Sequence, residues 1–248
     1  MSFEFLAPDA ARPVNGTKPA LRSPIEWVHR SAGAHFGERA GWRVVSGYGE
    51  SEREAAACRS SVGVADLSFL GKIELCAEAG VVSSIVSELA GGATLEPGRA
   101  GFHDGVWWCP VTTEHVLVLT PPEATAQVVE DLEAAASTAR FASVHELTAA
   151  WGSNEVVGPL ARETFARASA LDMRPRRFPE RGFAPVSVAR APAMVLREGG
   201  DRFLHLFGAG FADYIWTVFV DAARSLGGRA VGVAALPAPA GERVTADA

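Results

Sequence analysis

The run Cys58-Arg59-Ser60-Ser61-Val62-Gly63-Val64-Ala65-Asp66-Leu67-Ser68-Phe69-Leu70-Gly71-Lys72-Ile73-Glu74-Leu75-Cys76 changes its periodicity part-way. Just upstream, Ser51-Glu52-Arg53-Glu54 reads as a capping box. It opens a helix with Ala55, Cys58 and Val62 on one face, and Gly63 ends it. Val64 to Leu70 is apolar and broken only by Asp66, which reads as the cap of the following turn or, after Asp104, as a second candidate acid–base group. From Lys72 to Cys76 polar and apolar residues alternate, as in a strand with one solvated face.

The same mixture continues outward. Ser23-Pro24 reads as an N-cap with proline at the first helical position, opening a helix through Ile25, Trp27, Val28 and His29 to about Gly33. Glu78 to Ala90 is an amphipathic helix with Val82, Ile85, Val86 and Leu89 inward and Gly91 as its C-cap. Val106 to Pro110 and His115 to Thr120 form a hairpin, and Glu123 to Ala139 a helix. Strands follow at Ser143–Leu147 and Glu155–Val157, then a helix from Pro159 to about Ala170. Strands at Ala184–Val188, Met194–Arg197 and Phe203–Phe207, a helix over Phe211–Leu226 and a last strand at Arg229–Ala234 complete the reading. The strands are close enough to pair antiparallel, so the class is α+β, not a doubly wound parallel sheet.

Composition limits the function. The chain has 248 residues, 48% hydrophobic and 21% charged, with a formal net charge of −6. That is enough apolar material for a sizeable core. The acidic balance argues against nucleic-acid binding through phosphates. No apolar run approaches the ~20 residues that span a bilayer, and the N-terminus has no basic segment followed by an apolar one. A cytoplasmic protein is expected. Cys58, Cys76 and Cys109 are an odd number with no CxxC pair, which argues against a disulfide framework and a zinc site, and no metal is expected. Residues 1–22 read as an extended arm, 23–236 as the folded domain and 237–248 as a flexible tail.

Searches for dinucleotide-binding, P-loop, HExxH, GxSxG and EF-hand patterns are empty. His103 and Asp104 adjoin in the loop Gly101-Phe102-His103-Asp104-Gly105, which suits either chemistry or a plain hairpin turn. Trp107 and Trp108 would point to opposite faces of a strand, one into the core and the other toward a cleft, a partner or solvent. Arg174-Pro175-Arg176-Arg177 is a basic run that fits a solvated loop or an anion contact.

Longer strings carry a resemblance. Gly33-Ala34-His35-Phe36-Gly37-Glu38-Arg39-Ala40-Gly41-Trp42, the Cys58–Lys72 run and Leu95-Glu96-Pro97-Gly98-Arg99-Ala100 together resemble the N-terminal region of the glycine cleavage T protein (aminomethyltransferase). Leu171-Asp172-Met173-Arg174-Pro175-Arg176-Arg177-Phe178-Pro179, Phe203-Leu204-His205-Leu206 and Ala212-Asp213-Tyr214-Ile215-Trp216 are more similar to the gamma subunit of heterotetrameric sarcosine oxidase. The resemblance implies two ferredoxin-like halves, about 23–140 and 141–236, arranged pseudo-symmetrically around a central cleft, without the T protein's C-terminal β-barrel. It implies tetrahydrofolate as the cofactor.

The resemblance also implies site residues. Asp104 is the nearest match to the family's catalytic aspartate, with His103 beside it. Phe102 matches a folate-pocket aromatic, and Leu70 and Trp107 are assigned to the same pocket. The pterin-binding glutamate falls on Leu204, the asparagine after the hairpin near Pro121 and the arginine of the last motif near Ala235. Leucine cannot accept the pterin's N–H donors, and an unpaired buried donor costs ~1–3 kcal/mol, which opposes the usual folate mode. Two functions follow, beside a plain binding module that has kept the fold and lost both folate and complex. One is an accessory subunit of an amine-oxidising, one-carbon complex, packed on a larger flavin-containing oxidase subunit or on itself through Trp107, Trp108, Trp216 and the arm. The other is a stand-alone tetrahydrofolate-dependent one-carbon transferase, or a repurposed relative, acting on a small molecule in the cleft.

Overall fold

A computed structural model describes residues 20–238; the expected arm up to residue 19 and the tail from residue 239 lie outside the described residues. Leu21–Arg22 is a short strand, β1, so the part of the arm within the described residues is paired backbone. The helix α1 spans Glu26–Ser31, and its N-cap is Ile25, not Ser23. Ser23 Oγ instead accepts the Ile25 N–H at 3.3 Å and donates to Asp66. Strands β2 (His35–Arg39) and β3 (Trp42–Gly47) follow as an antiparallel hairpin. The apolar pattern there is too short to announce it. With β1 they form a three-stranded sheet in the order β1-β3-β2.

The helix α2 spans Ser51–Ser60, capped by Glu50. The capping box is realised by one partner only. Ser51 makes no cap bond, while Glu54 Oε1 reaches back to the N–H groups of Glu50 (3.2 Å) and Tyr48 (2.7 Å). Gly63 does not end this helix; it begins strand β4 (Gly63–Asp66). A Cβ there would lie 2.6 Å from Cys58 Sγ, so glycine lets α2 lie close on the sheet.

Strand β5 (Gly71–Cys76), helix α3 (Ala79–Leu89), strands β6 (Gly101–His103), β7 (Val106–Pro110) and β8 (His115–Thr120), helix α4 (Thr125–Ala136) and strand β9 (Ser143–Glu146) build the first large sheet, in the order β6-β7-β8-β5-β9. Without β6 this is the ferredoxin-like arrangement, with both helices on one face. Ile73, Leu75, Val116 and Val118 pack there against Val82, Ile85 and Leu132. The opposite face of β5 is not solvated throughout, because Lys72 is fully buried.

Strand β10 (Trp151–Val157), helix α5 (Ala161–Ala166), strands β11 (Phe183–Val188), β12 (Ala191–Gly199) and β13 (Arg202–Gly208), helix α6 (Ala212–Arg224) and strand β14 (Arg229–Ala230) follow. The second sheet runs β11-β12-β13-β10-β4-β14. Here β4, from early in the chain, inserts between the first and last strands of a second ferredoxin-like unit. Conversely β9 completes the first sheet. The large sheets are therefore interleaved in sequence, and a division near residue 140 cuts the chain without separating them. The final strand is shorter than its apolar run, because Gly232 abuts Ser46 and Gly47 and the chain turns into a 3-10 segment at Val233–Ala235.

Alternation along β13 explains the layering. Phe203 and Phe207 face α5 and α6, with Phe165, Ile215 and Phe219. Leu204 and Leu206 face the other way and meet Leu117, Leu119 and Cys109 of the first sheet. The order is helices, sheet, central core, sheet, helices. Among the described residues no helix is long and apolar enough to cross a membrane.

Candidate functional site

A cavity of about 550 Å³ opens between the two large sheets. Phe69, Phe102, Trp107 and Leu119 line its first-sheet side, and Glu155, Glu198, Arg202 and Leu204 its second-sheet side. Val233, Leu236 and Pro237 close one end.

The aromatic wall comes from the β6–β7 hairpin. Phe102 and Trp107 are cross-strand partners with ring centroids 4.6 Å apart. The two residues between the strands' last pair, Asp104 and Gly105, have φ of 47° and 77°, the left-handed pair that a tight hairpin demands. Asp104 is thus a turn residue and also stands at the cavity's rim. The tryptophan pair divides as alternation requires. Trp107 lines the cavity, and Trp108 is 2% exposed in the core. Leu70 also lines the cavity.

His103 is different. It points to the opposite side of β6 from Phe102 and does not line the cavity. Its ring lies over Gly91, where a Cβ would come within 2.5 Å of it. The sequence places His103 and Asp104 together, but the pleat separates them, so they form no acid–base pair at the cleft. Trp216 is likewise no surface element. It is 5% exposed and its ring packs edge-on against His29, centroids 4.7 Å apart. Among the described residues the exposed large aromatics are Trp27, Phe141, Phe211 and Tyr214. Arg174 of the basic run pairs with Asp172 at 2.8 Å on the surface.

Asp66, the last residue of β4, is structural. Its Oδ1 accepts the N–H (2.9 Å) and hydroxyl (2.6 Å) of Ser68, and Oδ2 meets His29 Nε2 at 2.9 Å. Burial works to raise its pKa, but the hydrogen bonds from His29, Ser23 and Ser68 hold the carboxyl below its usual range. On its far side His29 Nδ1 meets the Tyr48 hydroxyl at 2.8 Å.

The polar centre of the cavity is assembled by strand register, which linear sequence does not display. Glu155 on β10 is fully buried and stands directly across from Leu204 in the β10–β13 register. Arg202 Nη2 donates to Glu155 Oε2 at 3.0 Å, and Arg202 Nε donates to Glu198 Oε2 at 2.7 Å. Arg202 Nη1 donates to the Pro237 carbonyl at 2.6 Å. Burial and the neighbouring Glu198 push the Glu155 carboxyl up to about 8, against the pull of Arg202. Burial also raises Glu198. The signal available was a lone glutamate inside an apolar strand, Glu155-Val156-Val157, where a charge has to be paired or neutralised. At the mouth, Arg39 is held by Glu123 at 2.7 Å.

A second convergence lies on the first sheet, at the rim of the central core. Glu74, Cys76 and His115 bring donor atoms within 4.8 Å of one another, and His115 Nε2 is 2.7 Å from Glu74 Oε1. The cross-strand pairing of Cys76 with His115 assembles this set, which linear cysteine spacing cannot reveal.

The chain matches no family profile. It is 28% identical over 190 residues to the aminomethyltransferase of Mycobacterium tuberculosis, covering 72% of this chain and 50% of the relative. It is 26% identical over 226 residues to that of Saccharopolyspora erythraea, covering 86% and 60%. The chain therefore spans about half the length of the curated relatives it matches. In structure it resembles the glycine cleavage aminomethyltransferase T of Bartonella henselae, with TM-score 0.69, 18% identity and coverage of 86% of this chain and 60% of that one. It also resembles a chain of heterotetrameric sarcosine oxidase from Corynebacterium, with TM-score 0.62, 18% identity and coverage of 72% and 93%. The chain is thus related in sequence to aminomethyltransferases over part of their length, and it shares its fold with both the aminomethyltransferase and the sarcosine oxidase chain.

Proposed function

We propose that this chain is an accessory protein of amine and one-carbon metabolism, comparable in role to a sarcosine oxidase gamma subunit, with a folate-type pocket whose recognition groups have changed. The observation that carries the reading is the cavity wall at Leu204. This side chain is 1% exposed and apolar where the resemblance calls for a pterin-binding carboxylate. Pro121, in the wall near the family's asparagine, is apolar as well. The match to 93% of a sarcosine oxidase chain supports the same reading. On this reading the partner is a larger, flavin-containing oxidase subunit, and the cavity is part of a shared internal space.

A second reading is a stand-alone tetrahydrofolate-dependent transferase. It is favoured by the persistence of a formed cavity with an aromatic wall and Asp104 at its rim. Two measurements separate them. The tagged chain is recovered from its native cells and the eluate is examined for a flavin-containing partner. The purified chain is titrated with tetrahydrofolate and 5-formyl-tetrahydrofolate while tryptophan fluorescence is followed, Trp107 being the reporter in the cavity. A flavoprotein partner without saturable quenching is expected. Saturable micromolar quenching without a partner would replace the accessory reading with the transferase.

A further inference from the structure

We propose that Glu155 is the recognition carboxylate of the central cavity, and that the ligand it accepts is an organic ammonium ion presenting an N–H. The inference rests on the cavity being the ligand site of the proposed function, and it identifies the chemical class that the site takes.

The argument begins with hydrogens. Arg202 Nε carries one hydrogen and directs it to Glu198 Oε2. Glu155 Oε2 is served by Arg202 Nη2. Glu155 Oε1 lies against Arg202 Nε but receives no hydrogen bond, although it is fully buried. A buried carboxylate oxygen that has an ion contact but no hydrogen bond is left short of the solvation water would give it. The residue lines the cavity, so a ligand N–H can supply what the protein does not.

Charge then selects the ligand. With both carboxylates ionised, the Glu155–Arg202–Glu198 cluster carries one net negative charge. Such a charge is costly in a buried site unless it is compensated. In the free protein the compensation is a proton, which is why the Glu155 carboxyl titrates near 8. An ammonium ion offers the same single positive charge together with a hydrogen-bond donor. On binding it takes the proton's place: one proton leaves Glu155 for solvent, and one N–H···O bond forms to Oε1. No other bond changes. The charged groups facing Glu155 are Glu198 from β12 and Arg202 from β13, and the Cys58 thiol of α2 also lies within its field. On β4 its partner is Ala65, which carries no charge.

The walls agree with this class. Phe69, Phe102 and Trp107 present aromatic surface, which attracts an organic cation through the ring faces. Arg39, the other cation in the lining, is already tied to Glu123 at 2.7 and 3.2 Å.

The test is calorimetric titration of the full chain with N-methylbenzylammonium, and with benzyl alcohol as a neutral probe of similar shape. Each titration is run in two buffers of different ionisation enthalpy, which counts protons. Binding of the ammonium with release of close to one proton at pH 7 is expected, falling toward zero at pH 9. Benzyl alcohol should bind at least tenfold more weakly. Glu155→Gln, checked for folding by circular dichroism, should lose at least tenfold in ammonium affinity and release no proton. If that variant does not fold, the pH dependence of proton release in the wild type decides alone. Ammonium binding without proton release, equal binding of benzyl alcohol, or no ammonium binding overturns the proposal. A flavin-containing partner found in a chain that ignores the ammonium would leave the accessory reading standing and remove this one. Ammonium binding without any such partner would do the reverse.

Discussion

His205 shows what the interior demands of a single residue. It is fully buried, packed among Phe165, Phe207 and Phe219 at centroid separations of 5.8, 5.0 and 4.8 Å, and neither ring nitrogen has a hydrogen-bond partner. Burial alone pushes its pKa down to about 3. The unfolded chain therefore takes up a proton below about pH 6.5 that the folded chain refuses, so stability falls as pH drops from about 6.5 toward 3. His205→Leu removes both the unpaired nitrogens and that penalty. The variant is expected to be more stable by ~1–2 kcal/mol at pH 7 and by a larger margin at pH 5, read from urea denaturation at the two pH values. A variant less stable than wild type at both would show that the imidazole is satisfied by something besides packing.

Lys72 poses the same problem with another outcome. Its ammonium is buried and donates to the Ser68 carbonyl at 2.8 Å, and burial lowers its pKa to about 7 despite the opposing charges of Asp66 and Glu146. From pH 7 to 10 the unfolded chain holds this proton and the folded chain does not, so stability rises with pH across that window. Lys72→Met is expected to abolish that rise, a difference of roughly 3 kcal/mol in slope between pH 7 and 10. The offset at any one pH also contains the lost hydrogen bond, so the slope is the quantity to compare in denaturant titrations. A slope equal to that of wild type would locate the titration elsewhere.

Elements differ in how openly the sequence declares them. The β7–β8 hairpin lies where alternation puts it, at Val106–Pro110 and His115–Thr120, because its faces meet two different layers and every second residue is constrained. The helix α3 matches within a residue at each end, with Glu78 and Ala90 as its caps. By contrast, α5 covers only Ala161–Ala166 of a longer apolar stretch, and β14 only two residues. Their ends are set by tertiary contacts that local pattern does not carry. The site behaves likewise. Phe102, Asp104, Trp107, Leu70 and Leu204 line the cavity, whereas Glu155, Glu198 and Arg202 meet only through strand register. Gly232 is the sharpest case of a tertiary end. A Cβ there would lie 2.2 Å from the backbone of Gly47 and Ser46, and its N–H donates to Glu54 Oε2 at 2.8 Å. No flexible side chain can move aside. Gly232→Ala is therefore expected to destabilise by about 3 kcal/mol, at the upper end for overpacking, seen as a lower urea midpoint with unchanged m. A midpoint within error of wild type would mean that the segment after β14 can lift off β3.

At the scale of the whole molecule the exchange of β4 and β9 decides how the protein can come apart. Residues 20–140 contain β4, whose hydrogen-bonded neighbours, β10 and β14, lie in the other half. Residues 141–238 contain β9, which pairs with β5 of the first sheet. Cutting the chain at residue 140 therefore removes an edge strand from one sheet and an interior strand from the other. It also exposes the Leu117–Leu204 core between them. Each large sheet with its helices is a ferredoxin-like unit, which invites the expectation that each half folds alone. Strand exchange argues the opposite, because neither half can bury its inner face or satisfy its interrupted ladder. The two fragments, expressed separately, are expected to show no cooperative denaturant transition and no near-ultraviolet dichroism. Mixing them should restore both, since every missing contact is supplied by the other piece. A fragment that unfolds cooperatively by itself would show that the exchanged strand is an addition to a self-sufficient unit. The intact chain, by the same reasoning, should unfold in one transition whether followed from Trp107 in the cavity or from the helices outside the sheets, because the chain crosses between the sheets at β4–β5 and again at β9–β10.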